Sequence, residues 1–226
     1  MNRLEKLPRD RLLAEMSLWS ADLVRLADDI ARVEPYADLF HIDVSDGHFT
    51  PAILFFPDQV AAIRRVTERP LHVHLMTTPD VVVDQIGQFA DAGADLITVH
   101  VELGDVLPAA LDAIDARDIA AGLVLRIDTP VAACEPWLDR VRFLTLLGTA
   151  IGVKGQNLSD QACDRLTHAR TLTRGEIVLA ADGGIRSNTV PALRAAGAET
   201  VVMGSLAFGA PDLPATIRWL HALPMS

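Results

Sequence analysis

Leu39-Phe40-His41-Ile42-Asp43-Val44-Ser45-Asp46-Gly47-His48-Phe49 is the stretch on which the reading of this chain turns. It begins as an apolar run of strand type, and side chains alternate faces along a strand, so His41 and Asp43 point the same way. One imidazole and one carboxylate therefore converge. A second run, Leu71-His72-Val73-His74-Leu75-Met76, sets another imidazole into a buried strand pattern, and a third, Ile177-Val178-Leu179-Ala180-Ala181, ends in Asp182-Gly183-Gly184. Polar side chains in such runs are costly unless something pairs or uses them. A lone strand histidine is more often a hydrogen-bonded core residue than a ligand, and it is the recurrence at strand ends that carries the argument. With those ends together, two His and two Asp form a four-donor site for a divalent metal, and the two carboxylates can exchange protons with a bound substrate.

Working outward, strand-type runs at 12–18, 39–43, 71–75, 96–100, 121–125, 141–147, 177–181 and 200–203 alternate with helical stretches. Helices are expected from Ser20 or Asp22 to about Glu34, over 58–66, from Thr78-Pro79-Asp80 to Gly93, over 106–115, from Asp128-Thr129-Pro130, from Ser159, from Ser187-Asn188 to Gly197, and over 211–221. Eight strand-then-helix units with short connections predict an α/β fold, a single (β/α)8 TIM barrel occupying 1–226 as one domain, with 1–11 as an N-terminal extension. A doubly wound open sheet is the competing arrangement, and the glycine fingerprint of a dinucleotide site is missing after the first strand. In a barrel, chemistry collects at the carboxyl ends of the strands. Ser17, His41, Asp43, His74, His100, Arg126, Asp182 and Ser205 all lie at or just past such ends.

The 226 residues, half of them hydrophobic, suffice for one full core. Thirty acidic against 20 basic residues give a net charge of -10, which argues against nucleic acid or an anionic membrane as partner but not against a small phosphate held by backbone amides. The charged start, Met1-Asn2-Arg3-Leu4-Glu5-Lys6, is unlike a signal peptide and no apolar run is long enough to span a bilayer, so a cytoplasmic protein is expected. Cys134 and Cys163 read as free thiols in helical segments.

The chain resembles the ribulose-phosphate 3-epimerases from about Ser17 to Phe208. The resemblance is carried by Ser17-Leu18-Trp19-Ser20-Ala21-Asp22, by the His41 to Phe49 segment, by His72-Val73-His74-Leu75-Met76, and by Ala92-Gly93-Ala94-Asp95, Thr98-Val99-His100, Asp182-Gly183-Gly184 and Gly204-Ser205. It implies a ketose-phosphate 3-epimerase with one divalent metal ion on His41, Asp43, His74 and Asp182, both Asp residues doubling as acid and base. Zinc, iron, manganese and cobalt all suit that donor set, zinc being the first expectation. Substrate contacts are expected from Ser17, His74, Met76, Gly152, Gly155, Gly183, Gly184, Gly204 and Ser205, with Lys154, Arg126 and His100 as further candidates. Asp46 and His48 are candidates to orient the metal ligands, against a plain turn-stabilising role.

The chain departs from the family near the substrate. Ser45 and Leu147 stand where the family has Met, leaving Met76 alone of three sulfur side chains, Arg126 replaces an Asn-Pro or Lys-Pro pair, and the loop after the sixth strand reads Thr149-Ala150-Ile151-Gly152-Val153-Lys154-Gly155-Gln156. D-ribulose 5-phosphate and D-xylulose 5-phosphate lead as substrates, with allulose 6-phosphate or a tetrulose phosphate behind them. The competing readings are a phosphate-binding barrel of amino-acid biosynthesis and a non-catalytic sugar-phosphate-binding barrel. The expected partners are the phosphorylated ketose and further copies of the chain, and Phe55-Phe56 walls either the pocket or a subunit contact.

Overall fold

The computed structural model describes residues 3–224; of the N-terminal extension, Met1 and Asn2 lie outside the described residues. Eight parallel strands close into a barrel: β1 (Leu13–Ser17), β2 (Leu39–Asp46), β4 (Leu71–Met76), β5 (Leu96–His100), β6 (Ala120–Leu125), β7 (Phe143–Leu147), β8 (Val178–Asp182) and β9 (Thr200–Met203). Pairing runs β2-β4-β5-β6-β7-β8-β9-β1, and β1 pairs back onto β2, which closes the ring. The extra strand β3 (Ile53–Leu54) lies antiparallel on the end of β2, opposite Ser45 and Asp46, and was not foreseen from the sequence. It follows from the turn around Gly47, whose φ of 75° is natural to glycine.

Helices α1 (Leu26–Val33), α2 (Pro57–Arg64), α3 (Val82–Asp91), α4 (Leu107–Asp115), α5 (Ala162–Thr173), α6 (Val190–Ala195), α7 (Ser205–Phe208) and α8 (Leu213–His221) fill the connections. Several depart from expectation: α3 begins at Val82 rather than at Thr78-Pro79-Asp80, α5 at Ala162 rather than at Ser159, and α6 at Val190 rather than at Ser187-Asn188. The first helix begins at Leu26 because Asp22 takes the N–H of Val24 on its own carboxylate, a turn that competes with helix. After β6 the chain winds as 3-10 helix over Val131–Arg140, with Pro136 inside it breaking any α ladder.

The outward faces of the strands, covered by the helices, are apolar, with Ile42, Val44, Val73, Leu75, Ile97 and Val99 among them. Inside the ring, alternation sends Leu39, His41 and Asp43 inward from β2, His72 and His74 from β4, and Leu96, Thr98 and His100 from β5. At the amino end, Leu39, Leu96, Ala120 and Phe143 form an apolar floor that Leu4 and Leu7 of the N-terminal segment cover. Towards the carboxyl end the interior turns polar, which sets up the site.

Candidate active site

Asp43 and His74 are register partners on adjacent strands, and His41 lies one inward step below Asp43. Asp182, last residue of β8, comes across the ring. His41 Nε2 lies 3.1 Å and His74 Nδ1 3.2 Å from Asp43 Oδ1, and each of those nitrogens is 3.9 Å from Asp182 Oδ2. Donors bonded to one tetrahedral ion at about 2.0–2.1 Å stand about 3.3 Å apart, so this spacing is that of a ligand set around a common point. All four donor atoms lie within 4.8 Å of one another. Two nitrogens and two carboxylate oxygens suit a borderline divalent cation, so the residues fit a metal centre.

Burial works against the Asp43 carboxylate, but His41 and His74 outweigh it and hold Asp43 well below the usual carboxylate range. Burial, helped by the Asp43 charge, pushes Asp182 up to about 6 despite His41 and His74. Burial also opposes charge on His41, yet Asp43 and then Glu15 raise it well above its ordinary value. Asp182 thus holds a proton much more readily than Asp43 does.

Above this cluster opens a cavity of about 360 Å³. Ser17, Asp43, His74, Met76 and Asp182 line its floor region, Gly183, Gly184, Gly204 and Ser205 one wall, and Gly152, Lys154 and Gly155 its rim. Ser17 Oγ donates to Asp43 Oδ2 at 3.2 Å. Gly183 and Gly184 have φ of 88° and 69°, and a side chain at Gly184 would run into the backbone of Leu158. Lys154 donates to the Trp19 carbonyl, and its ammonium stands 4.6 Å from the centre of the Trp19 ring, so it ties the rim loop to the turn after β1. Burial lowers its pKa.

Some candidates lie elsewhere. His100 is fully buried behind His74, Nε2 to Nε2 at 2.9 Å, and does not line the cavity. Arg126 stacks on Phe49, 4.3 Å from the ring centre, and donates to its carbonyl. Ser45 Oγ is engaged by Thr50 Oγ1 at 2.7 Å and the Ala52 carbonyl at 2.8 Å, so the hydroxyl fastens the β2–β3 turn. Asp46 accepts from the N–H groups of His48, Phe49 and Thr78 and braces loops, while His48 is exposed. Phe55 is buried and Phe56 exposed.

Residues that the sequence reading passed over are also here. Trp19, Gln156 and Arg186 line the cavity, and Arg186 donates to Asn157 Oδ1 and the Gln156 carbonyl. Glu15, fully buried on β1, touches both His41 and His72, and Glu102 accepts from His100 Nδ1 at 2.9 Å. A lone carboxylate inside the apolar run 12–18 was the available signal for Glu15.

A model of the ribulose-phosphate 3 epimerase family matches residues 13–208. A ribulose-phosphate 3-epimerase of Bacillus subtilis (strain 168) is 36% identical over 202 residues, 87% of this chain and 92% of the relative. One from Escherichia coli (strain K12) is 34% identical, over 87% of this chain and 88% of its own. Among solved structures, 3-hexulose-6-phosphate synthase from Salmonella typhimurium superposes with a TM-score of 0.72 at 17% identity, over 94% of this chain and 98% of its own. Orotidine 5'-phosphate decarboxylase from Pyrococcus horikoshii OT3 gives 0.68 at 16%, over 92% and 97%, and both likenesses speak to the barrel alone. A family match spanning the ring from β1 to α7, with relatives more than a third identical over most of both chains, makes this chain a member of the ribulose-phosphate 3-epimerase family, enzymes of the isomerase class.

Proposed function

We propose that the chain interconverts D-ribulose 5-phosphate and D-xylulose 5-phosphate, Asp43 and Asp182 passing a proton at C3 between the two faces of the sugar. The observation that carries this is the meeting of two carboxylates from β2 and β8 beneath a cavity walled by glycine loops. A proton next to a ketone is removable only if the enediolate charge is stabilised. Asp43, kept ionised, takes the proton on one face, and Asp182, which holds a proton more readily, returns one on the other; the roles exchange with direction. His41, Asp43, His74 and Asp182 would hold one divalent cation, which when bound supplies electrostatic stabilisation for the developing oxyanion.

The other residues position and enclose. Ser17 orients Asp43 through its hydrogen bond and offers its oxygen to a sugar hydroxyl. Met76, Leu147 and Val202 give the cavity apolar surface around C3. The 183–184 and 204–205 loops, which line the cavity, receive the phosphate on their backbone amides, a role such loops fill in barrels of this type. The Lys154 tether closes the rim over the sugar.

Replacing Asp43 or Asp182 with Asn should lower epimerisation and deuterium exchange at C3 by about 10²–10⁴-fold, the usual worth of a general acid or base. Full activity in either variant would overturn the assignment. Ketose phosphates of four, five and six carbons, compared by C3 exchange, rank the substrates.

A further inference from the structure

The inner face of the barrel beneath the cavity carries a polar layer where bulky aliphatic side chains usually pack. Glu15 stands in it with no exposed surface and is hydrogen-bonded through both carboxylate oxygens. His41 Nδ1 donates to Glu15 Oε1 at 2.7 Å, and His72 Nδ1 donates to the same oxygen. Thr200 Oγ1 donates to Oε2 at 3.2 Å. His72 is completed from its other side, where Thr98 Oγ1 lies 2.8 Å from Nε2.

We infer that Glu15 is a positioning residue for the metal centre: by accepting the Nδ1 proton of His41 it fixes the tautomer and ring orientation that leave Nε2 to face Asp43, Asp182 and the cation. The inference rests on the metal reading above. In the metal-binding form, where His41 gives up the proton that the metal-free chain holds on it, the proton accounting closes with neutral imidazoles. Nδ1–H of His41 and Nδ1–H of His72 both point at the carboxylate, the Thr98 hydroxyl donates into His72 Nε2, and only His41 Nε2 keeps a lone pair with no protein donor to fill it. That lone pair is the one turned to the ligand cluster. A carboxylate behind a ligand imidazole also makes the imidazole a stronger donor to the ion.

Glu15, His41 and His72 could themselves be read as a second metal site, since one donor atom of each lies within 4.8 Å of the others. The distances decide against it. The carboxylate oxygen is at hydrogen-bond range of both nitrogens, closer than the roughly 3.3 Å between ligands of one tetrahedral ion. His72 is therefore a brace: it shares the Glu15 Oε1 atom with the neighbouring His41 ring, 4.7 Å away between centroids, and is itself held by Thr98. The cluster around Asp43 has the wider ligand spacing and this one does not.

The test is the Glu15→Gln variant of the full chain, with Zn²⁺ alone as probe, competed against a chromophoric chelator. The expected result is one ion per chain in the wild type and an affinity about 10–100-fold weaker in the variant. The metal-free variant should melt below the wild-type temperature, because His41, whose pKa Glu15 helps to raise, loses its buried carboxylate partner. A purely structural role predicts the same lowered metal-free melting temperature with unchanged affinity, so the affinity decides. Nitrogen-15 spectra of the zinc-loaded wild type need no variant: they should show His41 protonated at Nδ1 and metallated at Nε2. Wild-type affinity in the variant, a second ion bound, or the opposite tautomer overturns the inference. If the wild type takes up no ion, this inference and the metal centre fall together. If it binds zinc yet shows no C3 exchange, only the epimerase reading falls.

Discussion

His74 and His100 meet through their Nε2 atoms at 2.9 Å, rings stacked with centroids 5.1 Å apart. One proton fits between those nitrogens. Burial holds His100 down to about 4, so it is neutral near pH 7; its Nδ1–H donates to Glu102 and its Nε2 accepts from His74. His74 Nδ1 is thereby left for Asp43 and the cation.

This relay makes Glu102 a testable support for the second imidazole ligand. Glu102→Gln should weaken zinc binding about tenfold, at the low end for partners of ligand residues, and leave KM for the sugar within about twofold, because neither Glu102 nor His100 lines the cavity. Chelator competition and steady-state kinetics on the same preparation separate the two. A large rise in KM with metal affinity intact would place the pair at the substrate instead.

The raised Asp182 carboxyl sets a direction for pH dependence. Its value of about 6 in the folded, metal-free chain lies above the roughly 3.9 of an unfolded Asp. Between those values the folded chain holds more protons, so the group's contribution is full below about pH 4 and is lost as pH rises towards 6. The melting temperature of metal-free wild type minus that of Asp182→Asn should therefore fall across this window. A bound cation favours the ionised form, so stripping metal should lower the melting temperature more near pH 7.5 than near pH 5. Equal losses at both would contradict the assignment.

Lys154 fastens the rim loop to Trp19 by a hydrogen bond and by its ammonium over the indole. Lys154→Met removes both. At about 1 kcal/mol for an exposed cation–π contact, the loop's closure should weaken about fivefold, read as KM, with kcat at saturation within about twofold. An unaltered KM would mark this lysine as a solvated side chain.

Gly122 faces the barrel interior without room for a methyl group. A Cβ there would lie 2.6 Å from Thr98 Cγ2 and 3.0 Å from Phe143 Cβ. Gly122→Ala should cost about 1–3 kcal/mol by overpacking, measured by urea denaturation. Wild-type stability would mean the ring yields locally more than its packing suggests.

The ring itself was legible because parallel strands buried on both faces write continuous apolar runs, and the strand termini were legible because His41, Asp43, His74 and Asp182 interrupt them. The sequence could not show whether an interior polar residue faces the cavity or a neighbour. His100 looks like a cavity residue from its place at the end of β5 and instead backs His74, one strand away, which only the register reveals. Arg126 was misplaced for the same reason: its stacking on Phe49 joins loops 77 residues apart. Ser45 read as a change in the substrate wall, but the unforeseen strand β3 brings Thr50 and Ala52 to its hydroxyl. Helix starts were missed where side chains such as Asp22 satisfy the backbone locally.

The hydrogen-bonded layer under the metal ligands also constrains how this chain can change over generations. Glu15 accepts from two imidazoles and a hydroxyl, and His72 needs both Glu15 and Thr98. Losing any one member strands its neighbours' polar atoms in the dark interior, so single steps are penalised where paired exchanges are not. Positions 15, 72, 98 and 200 should therefore covary as a set, and a library randomising all four together should yield working combinations absent from libraries that vary them one at a time.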